Sequence, residues 1–154
     1  MAFSSFPVND NALTSHPFGV KTIASREFSG HIAVASTEGG ATPYQNLDVD
    51  ETGVVVKASA GQIYGILAFN LAGYTPSGTL MRFLKIYDKA TAATASDTPK
   101  LTIPLDPGNE TPFVLPDCGV AFAAGIGIRA TTGLAVADTG APGTNEVVVN
   151  LLYA

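Results

Sequence analysis

The sequence predicts an all-β protein, a sandwich or barrel of about eight or nine strands. Three observations lead there. The 154 residues include 16 glycines and 10 prolines, a density of chain breakers above the usual share. Hydrophobic residues make up 46% of the chain and charged residues only 14%, enough for a core but too few charges for a long solvated helix. Apolar runs of strand length recur between turn clusters every ~8–12 residues, and none has the spacing and caps of an amphipathic helix. The length suits one domain with a single core.

Residues 1–30 read as an extended N-terminal arm. Neither a period of 3.6 nor one of 2 is sustained there. Phe3, Phe6 and Phe18 stand as apolar anchors among Ser, Asn, Asp and Thr, with Pro7 and Pro17 between them. Three phenylalanines on an irregular chain want a surface to lie on, so docking is favoured over a frayed end.

Residues 31–154 read as the β-sandwich. His31–Ser36 is a short strand closed by Glu38-Gly39-Gly40, and Gly53–Ser59 is a second, built on three consecutive valines. Ala60-Gly61 suggests a tight turn into a long strand, Gln62–Asn70. Strict alternation would put Ile63, Gly65, Leu67 and Phe69 on one side of it and Tyr64, Ile66 and Ala68 on the other, both apolar. Such a strand is either covered twice or meets another subunit with its outer face. Tyr74–Thr79 is a turn cluster. Leu80–Asp88 is a strand, although Leu80, Phe83, Leu84 and Tyr87 also fit helical spacing; its aromatics and Ile86 lie between turn-rich loops. Lys89–Thr98 is small and polar, a loop or at most one helical turn. Pro104 makes Pro99–Leu105 an edge or bulged strand. Thr111–Leu115, then Val120–Ala124 and Ile126–Thr131 split by Gly125, and finally Glu146–Tyr153 complete the set.

The net charge of −5 comes with no basic cluster, so a phosphate-binding face, and with it nucleic-acid binding, is not expected. No run approaches ~18 apolar residues and the N-terminus lacks a secretory pattern, so the expectation is a chain made in a cytoplasm with no membrane partner. Cys118 stands alone without a basic neighbour and reads as a buried core thiol rather than a nucleophile. His16 and His31 lack ligand partners at zinc spacing. Asp48, Asp50 and Glu51 resemble half of a calcium loop but lack its glycine and its later glutamate. A solvated acidic turn is the simpler reading, with a weak divalent site at a subunit junction left open. Gly125-Ile126-Gly127 is a fragment of a dinucleotide fingerprint followed by a strand rather than a helix. No nucleophile, base and orienting group assemble on paper, so no catalytic residue, cofactor or metal is expected.

Three stretches carry a resemblance: RFLKIYDKATAATASDTPKLTIPL at 82–105, LPDCGVAFAAGIGIRATTGLAVADTG at 115–140, and NEVVVNLLYA at 145–154. Together they resemble a recurrent pattern in virion proteins of tailed bacteriophages. The likeness spans 53–154 and rests on Arg82, Lys85, Tyr87, Asp88, Lys89, Gly119, Phe122, Gly125, Thr131, Thr132, Gly133, Asn150 and Tyr153. It implies a jelly-roll-like sandwich acting as a head decoration, or capsid cement, protein. Such a protein binds the outside of the head and stabilises it by bridging major capsid protein subunits. Self-association as a homotrimer or homodimer, and contact through Phe3, Phe6 and Phe18, go with that reading. The alternative is a receptor- or carbohydrate-binding module of a head or tail fibre. The absence of tryptophan and a count of five tyrosines leave few rings to stack on sugars.

Overall fold

The structure is a computed structural model, and it describes residues 20–23, 26–29, 40–73, 80–108, 110–113, 115–116 and 118–154. The chain divides into two compact units, Met1–Gly39 and Gly40–Ala154. In the first, β1 (Val20–Ile23) pairs antiparallel with β2 (Arg26–Ser29), Ile23 opposite Arg26. The sequence shows no sustained period over this stretch. Its two four-residue strands are too short for alternation to stand out from the polar residues around them. Phe3, Phe6, Phe18, His16 and the expected strand at 31–36 lie outside the described residues.

Among its described residues the second unit holds nine strands. They are β3 (Thr42–Asn46), β4 (Val54–Lys57), β5 (Gly61–Asn70), β6 (Arg82–Asp88), β7 (Leu101–Leu105), β8 (Glu110–Phe113), β9 (Val120–Phe122), β10 (Ile126–Thr131) and β11 (Val147–Tyr153). One sheet runs β4-β10-β6-β7. The other runs β3-β11-β5-β8, with β9 also on β5. β8 covers Ile66–Phe69 of β5 and β9 covers Gly61–Ile63, so these two short strands share one edge. All these strand-to-strand pairings are antiparallel, and no described residue is helical. Leu84, Ile86, Ile103, Leu105, Ile126 and Ile128 of the first sheet and Ile63, Ile66, Val147, Val149 and Leu151 of the second belong to one buried cluster. Two antiparallel sheets closing on a shared core make a β-sandwich-like architecture.

The strand preference at 82–88 follows from its neighbours: β6 lies between β10 and β7, with Leu84 and Ile86 fully buried. β7 takes the edge, where Pro104 costs no ladder hydrogen bond. Two local expectations need correction. β4 and β5 are not a hairpin, because they belong to different sheets and residues 58–60 carry the chain from one to the other. The alternation of β5 also changes phase. Gly65 pairs with Leu152 but Ile63 pairs with Tyr153, so Tyr64 is an extra residue on β5. This bulge puts Ile63 on the core side with Ile66, Ala68 and Asn70, and turns Gly65, Leu67 and Phe69 outward.

Polar ties join the two sheets. Asn70, fully buried, donates through Nδ2 to Leu80 O (2.8 Å) and Leu105 O (2.9 Å) and accepts from Ala72 N (3.0 Å). Arg82 Nε donates to Glu146 Oε2 at 2.9 Å, linking β6 to the start of β11. Between β9 and β10 the chain changes sheets at Gly125, whose backbone is pressed so close to Ala90, Lys57 and Lys89 that a Cβ would stand 2.7–2.8 Å from their atoms. Only glycine fits there.

Candidate functional site

The outer face of the β3-β11-β5 sheet is largely uncharged and carries exposed apolar side chains. The pairings Gln45↔Asn150↔Leu67 and Pro43↔Leu152↔Gly65 place these side chains on one face, beside Val148 paired with Phe69. Each alternates with a core residue, so its exposure is the direct consequence of the pleat. Leu152 is 48% exposed, and Leu47, just past β3, is 55% exposed. Gly65 contributes no side chain, which leaves an open groove of about 680 Å³ lined by Pro43, Tyr44, Gln45, Gly65, Leu67, Asn150 and Leu152, with Ile66 and Leu151 beneath. A polar contact across it joins two amides: Gln45 Nε2 donates to Asn150 Oδ1 at 2.9 Å. No lining residue is charged. Such a surface can bury apolar side chains and offer amide hydrogen bonds.

The opposite face of the sandwich is built differently. Lys85 and Arg129 sit directly across from each other on β6 and β10, pointing away from the core, yet both are buried. The segment 132–140 covers them. Lys85 Nζ donates to Ala135 O at 2.5 Å. Arg129 donates through Nε to Glu51 O (2.6 Å), through Nη1 to Tyr87 Oη (3.4 Å) and through Nη2 to Asp138 O (3.4 Å). Burial pushes the Lys85 amine below its ordinary pKa, and the neighbouring Arg129 adds to this while Asp138 opposes it. The loop is also closed on itself. Thr132 N donates to Gly140 O at 3.0 Å, and Asp138 Oδ1 accepts from Gly133 N (3.1 Å) and Gly140 N (3.0 Å). Its tip carries Leu134 and Val136, 64% and 44% exposed.

Asp88 is a third polar centre, and its contacts are structural. Oδ1 accepts from Ala124 N (2.7 Å) and Gly125 N (3.4 Å); Oδ2 accepts from Ala123 N (3.0 Å) and Lys100 Nζ (3.1 Å). These backbone amides, with the Lys100 ammonium, hold its carboxyl far below the usual carboxylate range. The clamp fixes the crossing from β9 to β10 against β6. Glu146 is held low as well: partial burial opposes ionisation, but the Gly143 amide and Arg82 outweigh it.

The acidic stretch at 48–51 does not converge. Asp48 Oδ1 accepts from Asn145 N (2.6 Å) and Asp50 Oδ1 from Thr52 N (2.8 Å), on either side of the buried Val49. Among the described residues no three His, Cys, Asp or Glu side chains come together as a metal site. Cys118 is exposed, against the expectation of a core thiol, because it precedes Gly119 in a turn closed by Gly119 N donating to Pro116 O (2.7 Å). The groove and the buried cations are what the sequence reading missed. The bulge at Tyr64 decides which residues of β5 line the groove, and Lys85 and Arg129 carry no local mark of burial. Compared with known protein families, curated proteins and solved structures, the chain matches none.

Proposed function

We propose that this protein is a structural component of a tailed-bacteriophage particle, a capsid decoration protein that binds the outside of the head and cements major capsid protein subunits. The observation that carries the reading is the outer face of the β3-β11-β5 sheet: uncharged, half-exposed and grooved, on a chain with a net charge of −5. Apolar surface of this kind serves polypeptide contacts. The resemblance over 53–154 supplies the setting. Cementing acts by mass action, since whatever binds the closed shell but not the opened one stabilises the closed form. No residue is catalytic in this role.

The fold fits the same reading. With β9 set aside and the remaining strands from β3 onward lettered B to I, the sheets read B-I-D-G and C-H-E-F. That order supports a jelly roll, a fold that viral shell proteins share with many others. The protein associates with itself as well as with the shell, and Phe3, Phe6 and Phe18 add anchors to the capsid.

The test strips the protein from purified particles, heats bare and re-decorated heads, and follows DNA release. Decorated heads retain DNA to a higher temperature. Equal release temperatures would remove the cementing role. Labelling at the tail tip would favour the receptor-binding alternative. Removal of residues 1–25 leaves the sandwich folded and weakens attachment.

A further inference from the structure

We propose that copies of this chain associate head to tail, the Leu134–Val136 tip of one copy seated in the groove at Gly65 and Leu152 of the next. This rests on the self-association within the proposed function and is independent of the shell. The two surfaces lie on opposite faces of one sandwich. The groove is on the outer side of the β3-β11-β5 sheet, and the loop covers the outer side of β6 and β10. One is a groove, and the other presents the exposed Leu134 and Val136 side chains. Facing two grooves together would leave both unfilled, and facing two tips together would bury little, so a two-fold contact wastes what each surface offers.

Chemistry favours the pairing. Leu134, Ala135, Val136 and Ala137 are uncharged, and so is every residue lining the groove, whereas the chain as a whole carries −5. Joining these two surfaces brings no carboxylates together, which random contact between acidic copies would do. A groove of about 680 Å³ has room for a leucine and a valine side chain with the backbone between them. The tip is preorganised. Lys85 and Arg129 hold the carbonyls of Ala135 and Asp138, and Asp138 closes the loop neck, so little freedom is lost when the tip is captured.

The size of the contact sets its strength. Three strands at ~4.8 Å spacing and five residues at ~3.4 Å rise cover roughly 250 Å² of sheet. A stable pair buries ~1,200–2,000 Å² in total, so one contact is weak alone. A copy inside a head-to-tail array is held twice, by its tip and by its groove. The array closes into a ring or extends as a filament according to the rotation between copies.

The test uses the full chain in sedimentation velocity across a concentration series. The wild type forms species larger than a dimer. Leu134→Asp with Val136→Asp, and separately Leu152→Asp, each give monomers, with association weakened on the order of tenfold or more. Hydrogen exchange of the wild type adds a measurement that needs no variant: raising the concentration protects 132–138 and 150–152 together. A wild type that is monomeric throughout, or a variant that still assembles, overturns the proposal. A monomer whose groove is shielded by its own residues 1–39 overturns it too. Variants are also scored on re-decorated heads, where monomers that still raise the release temperature leave the cementing role standing.

Discussion

Replacing Asp88 with asparagine exchanges one carboxylate oxygen for an amide donor where four hydrogen bonds converge. If Oδ1 keeps Ala124 and Gly125, the new NH₂ faces the Ala123 amide and the Lys100 ammonium, both donors. Lys100 retains Ala121 O at 2.6 Å, so the uncompensated loss is the Ala123 bond, the charge, and a donor facing donors. Hydrogen bonds to charged groups are worth ~1.5–3 kcal/mol each, and water reaches part of this site, so the lost Ala123 bond counts at the low end and the donor facing donors brings the net cost to about 2 kcal/mol. For a unit of this size, ~4 °C per kcal/mol makes that a fall in Tm of about 8 °C at neutral pH. The acid dependence carries the sharper signature. Because the folded carboxyl sits below its ordinary 3.8, its stabilisation is complete above that value and is lost as pH falls through the folded pKa. Wild type and Asp88→Asn therefore converge in strong acid. Urea melts at pH 7, 4 and 2 measure this, and a gap that stays constant over the series would show that Asp88 is not an ionised clamp.

Asn70→Ala leaves Leu80 O, Leu105 O and Ala72 N without their buried partner and costs about 3 kcal/mol in a denaturant melt, whereas a surface control such as Asn150→Ala shifts it little. Gly125→Ala drives a Cβ into the backbone of Ala90 and Lys57, so the soluble folded yield drops and any folded product is destabilised by ~3 kcal/mol or more. Arg129→Met removes the donor to Glu51 O and Asp138 O; amide exchange in 132–140 speeds up ahead of the sandwich strands, and the whole fold loses about 2 kcal/mol.

Much of the architecture was legible because strands announce themselves locally. The Val54–Lys57 run, the Arg82–Asp88 strand, the proline edge at 101–105 and the closing strand at 147–153 are read from β-branched and aromatic residues between turn clusters. Less legible was the burial of Lys85 and Arg129. Alternation marks them as outward-facing, which ordinarily means solvated, and a loop that begins only at 132 covers them.

From its amino-acid order alone this protein is determined to be all-β, acidic and rich in apolar strands, since those properties depend on composition and on neighbours a few residues apart. Tertiary structure decided which strands meet, that β4 and β5 part company, and that one extra residue at Tyr64 turns Leu67 and Phe69 outward and opens the groove at Gly65. A side-chain period of two carries no information about where a bulge falls. Placing it requires the partner strand, and β11 lies about eighty residues further along the chain.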